Sequence, residues 1–495
     1  MIHPPSLPSS ASGLLLQRSF WLLFLTALVG NLLSKGATLL PGMAPDDYAF
    51  AFQGDAAGNL ENFVSQGRVV LSLLTQSVDV TGLSLTSISF FTSLLAFSSI
   101  SLAIAAAVSL TRVSERNNFV HYVAAVFAAT HPYLTSYFLF RMSAITHAFV
   151  YLSLFFALLI LTTQLKTGIK FALSLLVLVV CSHANQAILI LYAIAAGAWA
   201  VTMMCEVKQR KGEWPQALYG VVFVLATLLL STTVYLITSS ILRSILGVGA
   251  SETYTPHLQG GVANTLHSGL SLAYGILLRG EPIMALWLKI LLGIGLLSMF
   301  LFCLVRDWFR ALSAALFLGA GLLATVSPLA LSWGGHVPRT FSPAGLCFAL
   351  FISMVWAGIR LPFGRLILAS LIPLVFAFCA IGSTLFYQQL LVTQWDQRTA
   401  TAIYTRALEF DGIPRLQIAA GWPAHTRTQS MTGEGINESA FLYDWSLPGL
   451  FAVSTGEKLD IRGTKKEMCN GIAAWPSRAS VSKQADGSIL VCMIQ

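Results

Sequence analysis

Residues Leu16–Asp55 read LQRSFWLLFLTALVGNLLSKGATLLPGMAPDDYAFAFQGD, an apolar run followed by three aspartates, two of them adjacent. A helix crosses the hydrocarbon core of a bilayer with about 20 mainly apolar residues, so 16–35 reads as a first membrane span. Carboxylates placed just beyond it avoid lipid only at the membrane surface or in an aqueous cavity. The segment lacks a clean small-residue cleavage site, which argues against a removable signal peptide.

Working outward, the composition agrees with that reading. The chain has 495 residues, 56% hydrophobic and 10% charged, against about 25% charged in a soluble domain. About eleven apolar segments of helical character follow, at 16–35, 84–111, 119–132, 143–164, 169–184, 187–205, 216–243, 283–305, 311–332, 342–359 and 366–388. The third and fifth are short for a full crossing, which predicts tilted, broken or protein-buried helices. The expected class is an α-helical polytopic membrane protein, with residues 1–394 as the membrane domain. From about 395 the composition becomes mixed, and RLQIAAGW and GSILVCMI alternate like short strands. Residues 395–495 are therefore expected to form a small α/β or β-rich soluble domain.

The net charge of +8 does not imply nucleic acid, because the basic residues fall in short connectors. With the N-terminus cytoplasmic, alternate loops carry Arg112 and Arg116; Lys166 and Lys170; Lys208, Arg210 and Lys211; Arg306 and Arg310; and Arg360 and Arg365. Such short basic loops face the cytoplasm. The opposite loops hold 36–83, the 244–282 connector and WGGHVPRTF, and an odd number of spans puts the C-terminal domain on that same outer side. Within 36–83, Asn59–Val78 is apolar at helical spacing and reads as one interfacial amphipathic helix carrying Arg68. Five cysteines (Cys181, Cys205, Cys303, Cys347 and Cys379) lie in or beside apolar segments as small buried thiols. Cys469 and Cys492 lie in the polar tail and can pair if it is in an oxidising compartment.

Candidate chemistry concentrates on the outer side. Asp46 and Asp47, if half-buried together, repel each other, which raises one pKa toward that of a general base; capping a helix start is the alternative role. Asp55 and Glu61 read as capping or surface acids. Arg68, Arg141 and Arg339, the last beside His336, are outer-side cations suited to bidentate phosphate binding, or to headgroup contact and snorkelling. His183, Asn185 and Gln186 in CSHANQA, with Tyr137, could hydrogen-bond a sugar; the CSHANQA group could equally satisfy a tight helical connection. His131-Pro132 marks a helix break, His147 reads as a core histidine, and the triplet Asn437-Glu438-Ser439 is a formal glycosylation sequon of the kind that occurs by chance. No Walker loop, GxGxxG after a strand, HExxH or GxSxG is present, so ATP-driven transport, nicotinamide chemistry and metalloprotease chemistry have no support.

Taken in order, these pieces resemble the GtrII-like O-antigen glucosyltransferases of the wider GT-C superfamily. The family has an Asp-Asp pair after the first span (here Asp46-Asp47) and a Gly-Arg on the next helix (Gly67-Arg68). It then has a Pro-containing stretch ending in Tyr-Arg-Phe-Asp and Met, to which HPYLTSYFLFRMSAI with Arg141 is similar. A later outer arginine matches Arg339, and the last span runs into FYQQLLVTQWDQRTATAIYTRALEFDGIPRLQIAAG. Two features depart from the pattern: Met142 and Ser143 follow Arg141 without the Asp, and the helix usually showing a Tyr-Gln pair reads His183-Ala184-Asn185-Gln186, keeping only the Gln.

The resemblance implies transfer of a sugar, glucosyl in this family, from a polyprenyl-phosphate donor lipid to an O-antigen or other surface glycan. The reaction would occur on the periplasmic face of a bacterial inner membrane, among membrane lipids. It implies Asp46 or Asp47 as base and Arg68, Arg141 and Arg339 as phosphate or sugar contacts. No cofactor is required, although paired acids can hold a divalent metal. Functional coupling to a donor-synthesising transferase and a flippase is implied as well. A transporter or flippase of lipid-linked sugars would also need outer arginines and a lipid groove. That alternative predicts ionisable residues at mid-span, and few are present.

Overall fold

The computed structural model describes residues 15, 17–52, 59–111, 118–210, 214–251, 261–280, 283–331, 338–356, 359, 363–410, 415–419 and 436–493. Asp55, Arg112, Arg116, Lys211, His336 and Arg360 lie outside them.

Each of the eleven apolar segments forms a helix: α1 (Arg18–Lys35), α5 (Ser89–Leu110), α6 (Asn118–Thr130), α8 (Ala144–Thr162), α9 (Thr167–Ser182), α10 (Ala187–Arg210), α11 (Trp214–Ile245), α13 (Leu286–Arg306), α14 (Trp308–Leu331), α15 (Pro343–Trp356) and α16 (Phe363–Leu408). Among the described residues, nine helices are long and apolar enough to cross a membrane. The two short segments, α6 and α9, are the remaining pair. Pro132 ends α6, because a proline disfavours helical backbone in the residue before it. Pro132 then opens the short helix α7 (Pro132–Ser136) at its first position, where no N–H is needed.

Small residues set the centre of the bundle. α5 is rich in Ser and Ala and buries most of its length against α1 and α8. Gly30 of α1 brings its backbone close to Ala129 and Thr130 of α6. Lipid tails are as apolar as leucine, so such close packing, rather than water exclusion, holds membrane helices together. Lys35 is fully buried here, and its Nζ donates to Asn31 Oδ1 (3.0 Å), Ser34 Oγ (3.2 Å) and the Ala129 carbonyl. At the rim, α11 presents Leu218, Val222, Leu225 and Leu229 on one exposed apolar stripe suited to lipid. Arg310, expected only as a connector charge, is buried and paired with Asp307 at 3.2 Å.

Three expectations change. The stretch read as one interfacial helix, Asn59–Val78, is two helices, α3 (Leu60–Ser65) and α4 (Val69–Val80), and Arg68 sits at the break rather than on a continuous helix. The 244–282 connector contains a further helix, α12 (Gly261–Leu278), packed on α13 and α14. Lys289 Nζ donates to its Gly275 carbonyl at 2.6 Å. Asn264, Thr265, His267 and Ser268 interrupt its apolar run, which hid it. The last span also continues well beyond 388, so the composition change at 395 falls inside α16.

That extension explains the C-terminal region. Ala400, Ile403 and Ala407 of α16, with Met43 and Tyr48 from the loop after α1, share one core with Leu416, Phe441, Leu450 and Val491. The sheet has the order β2 (Ile461–Gly463), β1 (Leu416–Ala419), β4 (Ile489–Cys492), β3 (Val481–Lys483). β1 lies parallel to both neighbours, while β3 and β4 run antiparallel. Cys469 and Cys492 form a disulfide. The membrane bundle and the sheet region are thus joined through a common core, with α16 as a mast between them.

Candidate active site

The acid pair lies on α2 (Pro45–Tyr48), a single helical turn begun by a proline. Adjacent residues on a helix point about 100° apart, and the two acids meet different surroundings. Asp47 is fully buried. Its Oδ2 accepts the Ala44 N–H and its Oδ1 the Met142 N–H, both at 2.8 Å. Burial pushes its carboxyl up to about 7, opposed by those N–H groups and by Arg141. The capping alternative therefore describes Asp47. Asp46 is only half-buried, and its neighbouring charges among the described residues are Arg339 and Glu438. Burial raises its carboxyl above the usual carboxylate range; Arg339 pulls it down and Glu438 pushes it up.

The mast holds this turn in place. Gln389 Nε2 donates to the Met43 carbonyl at 2.6 Å, and the Met43 N–H donates to Thr393 Oγ1 at 2.7 Å. From the same helix, Asp396 accepts from Ser439 Oγ (2.6 Å) and the Ala440 N–H (2.8 Å). The polar residues in QQLLVTQWD thus tie both the acid turn and the irregular 437–440 segment to one helix face. Helix α17 (Leu447–Thr455) closes against the acid turn at Gly449, where a Cβ would overlap the Tyr48 carbonyl.

Two arginines flank the segment that Asp47 anchors. Arg141 opens a 3₁₀ turn, Arg141–Ser143, within electrostatic range of Asp47. Arg339 lies over the Phe140 ring, its Cζ 4.2 Å from the centroid, an arrangement that attracts cation to ring face. Arg141 Nε and Arg339 Nη1 are both buried without a hydrogen-bond partner among the described residues. A buried, unsatisfied guanidinium N–H is costly and calls for an acceptor. Each lies within electrostatic range of one acid, Arg141 of Asp47 and Arg339 of Asp46.

Arg68 is placed by a different device. Gly67 has φ +74°, and a Cβ there would lie 2.5 Å from Ser239 Oγ and 2.6 Å from Tyr235 Oη. Both the left-handed backbone and the close approach need glycine. The CSHANQA residues hold this break. His183 Nδ1 bonds the Gly67 carbonyl (3.1 Å) and Nε2 bonds Thr238 Oγ1 (2.8 Å). Gln186 Nε2 donates to the Gln66 carbonyl (3.1 Å) and to Tyr235 Oη (2.6 Å). Asn185 Oδ1 accepts the Ala187 N–H. In this arrangement His183, Asn185 and Gln186 satisfy a helical connection, the structural alternative left open by the sequence. The Arg68 charge acts on His147, whose ring bonds Ser143 Oγ at 3.1 Å and packs edge-on against Tyr137. Arg68 therefore lies within electrostatic range of the histidine that packs on the 137–143 segment.

A Gly67→Ala substitution is expected to force the break out of its left-handed state, at a cost of about 1–2 kcal/mol, and to displace Arg68. A several-fold rise in donor KM, with membrane insertion intact, is the expected reading.

Sequence reasoning missed Glu438 and Tyr443. Tyr443 Oη donates to Glu438 Oε2 at 2.9 Å, and both act electrostatically on Asp46 or share its field. The one available signal was the acid inside Asn437-Glu438-Ser439. Asn437 is itself buried, with φ +52°, and donates to Gln388 Oε1 at 3.3 Å. Among the described residues, no group of three or more His, Cys, Asp or Glu side chains is arranged to hold a metal ion.

A family model described as Glucosyl transferase GtrII matches residues 43–359, the span from the acid turn through Arg339 and α15. No curated protein and no solved structure matches the chain.

Proposed function

The chain belongs to the GtrII glucosyl transferase family, and from that premise we propose that it moves glucose from a polyprenyl-phosphate carrier to a surface glycan such as O-antigen. An acceptor hydroxyl attacks the anomeric carbon as the carbon–phosphate oxygen bond breaks. The lipid phosphate leaves with the bonding electrons, and the hydroxyl proton goes to Asp46. Arg141 and Arg339 receive the phosphate charge that develops, with Arg68 as a further cation near the 137–143 segment. The observation that carries this reading is a pair of arginines, each with one buried, unpartnered N–H, Arg339 near the partly buried Asp46 and Arg141 near Asp47. Asp47 acts as a pin, tying the acid turn to the Arg141 segment.

The reaction is placed on the periplasmic face of a bacterial inner membrane, in a GT-C-like bundle. Support comes from the basic connectors at the opposite loops and from the Cys469–Cys492 disulfide, a bond typical of oxidising compartments. The arginines supply the positive charge that a metal provides in other phosphate-leaving reactions, so transfer is expected to persist in a chelator.

The test uses full-length protein in lipid nanodiscs with a glycan acceptor and either polyprenyl-phosphoglucose or a nucleotide-glucose donor. Transfer from the lipid donor alone is expected. Equal use of the nucleotide sugar, or reorientation of the lipid-linked sugar in vesicles without transfer, would overturn the reading.

A further inference from the structure

The 43–359 match stops before the C-terminal region, yet that region lines the site. We propose that Glu438, Tyr443 and Trp445 form the subsite that receives the pyranose ring of the acceptor glycan; this rests on Asp46 being the base. The Glu438 backbone is clamped on both sides. Asn437 donates to Gln388, and Ser439 and Ala440 donate to Asp396, so α16 fixes the residues immediately before and after it. The left-handed backbone of Asn437, a state asparagine adopts more readily than other residues with side chains, turns the chain there. Backbone held in a sparsely populated state by surrounding bonds is a recurrent feature of functional sites.

Glu438 then accepts from Tyr443 Oη through one oxygen, and its second oxygen can accept from a sugar hydroxyl. Tyr443 and Trp445 lie with ring centroids 5.1 Å apart and planes 30° from parallel. Trp445 is 50% exposed, offering an open aromatic face beside a carboxylate. A pyranose presents a C–H face and a rim of hydroxyls, the complement of that pair: an apolar face with a polar handle. The Asp444–Ser446 turn packs on α2, the turn that carries Asp46, so ring platform and base share one support. Gly463 keeps the turn close, since a Cβ there would overlap the Asp444 carboxylate.

Charge assigns the platform to acceptor rather than donor. A lipid phosphate next to the Glu438 carboxylate would be repelled, whereas neutral hydroxyls gain a charge-assisted bond. The arginine pair, not the platform, suits the phosphate.

The experiment measures acceptor and donor KM separately for full-length Trp445→Ala, Trp445→Phe, Trp445→Leu and Glu438→Gln. Trp445→Ala is expected to raise acceptor KM roughly tenfold, the upper end of an aromatic contact, with donor KM unchanged. Trp445→Phe is expected to restore most of it. Glu438→Gln is expected to raise acceptor KM and to move the acid limb of the pH profile downward, because the carboxylate that lifts Asp46 is gone. Unchanged acceptor KM in Trp445→Ala and Glu438→Gln overturns the subsite. So does full rescue by Trp445→Leu, which would mark Trp445 as a membrane-interface anchor. A rise confined to donor KM overturns it too. Failure of the underlying reading shows separately, as full transfer by Asp46→Asn.

Discussion

Replacing Asp46 with Asn is expected to lower transfer by about 10²–10⁴-fold, the usual contribution of a positioned general base, while the protein still inserts and folds. Asn keeps the shape but cannot take the acceptor proton. Asp46 can be changed cleanly because its carboxylate is only partly buried and not committed to the two backbone N–H groups that hold its neighbour. Asp47→Asn should behave differently. An amide offers one acceptor oxygen where the carboxylate offers two, so the Ala44 or the Met142 N–H loses its partner. Leaving a buried donor unmade costs about 1–3 kcal/mol. The expected result is a lower melting temperature together with reduced activity. If the two variants have equal transfer rates and equal stability, the division of labour between the acids is wrong.

The pH dependence follows from the same surroundings. A base must be ionised, so kcat/KM should fall as pH drops through the Asp46 pKa, which burial places above the ordinary carboxylate range. Arg339 lowers that pKa, so removing its charge should move the acid limb upward. An acid limb at the ordinary carboxylate position in the native protein would contradict the buried setting.

Arg339→Ala is expected to lower kcat by about 10²–10³-fold, the loss seen when one preorganised donor to a developing oxyanion is removed. The guanidinium sits over the Phe140 ring with a buried, unsatisfied N–H, so it is held ready before substrate arrives. Arg339→Lys should recover only part of the rate, because an ammonium lacks the planar fork that grips phosphate with two bonds. The Arg141→Ala, Arg339→Ala double variant is expected to fall short of the product of the single losses, since both arginines act on one phosphate. Near-native kcat in Arg339→Ala would remove the anion site from the mechanism.

Much of the helical frame was legible because hydrocarbon imposes a length and a composition on any crossing segment. The eleven apolar stretches could hardly be anything else, and the short ones announced themselves by residue count. α12 escaped because four polar residues break its apolar run, and a partly amphipathic helix packed on α13 and α14 tolerates them. The Gly67 break escaped because the apolar spacing on its two sides keeps helical phase. Its left-handed backbone and the approach of Ser239 and Tyr235, some 170 residues later, both require glycine there, and neither shows in the local spacing.

Within the site, the residue types and their order along the chain came from the sequence alone: two acids after the first span, then arginines in separate loops. Their roles did not. Asp46 and Asp47 are chemically identical neighbours, and a turn of α2 sends one to backbone donors and the other toward Arg339 and Glu438. For His183 and Gln186 the sequence left a sugar contact and a helical connection both open; both ring nitrogens of His183 and Nε2 of Gln186 bond residues 66, 67, 235 and 238. Glu438 lies almost 400 positions from Asp46, and no local pattern links them; Gln388 and Asp396 of α16 bring them together. Lipid constrains a chain segment by segment, so the sequence determined the membrane class, the helices and the stock of charged groups. Electrostatic partnership depends on distance in space, and only tertiary packing decided which acid bonds backbone donors and that Arg339 and Glu438 are the charges near the other.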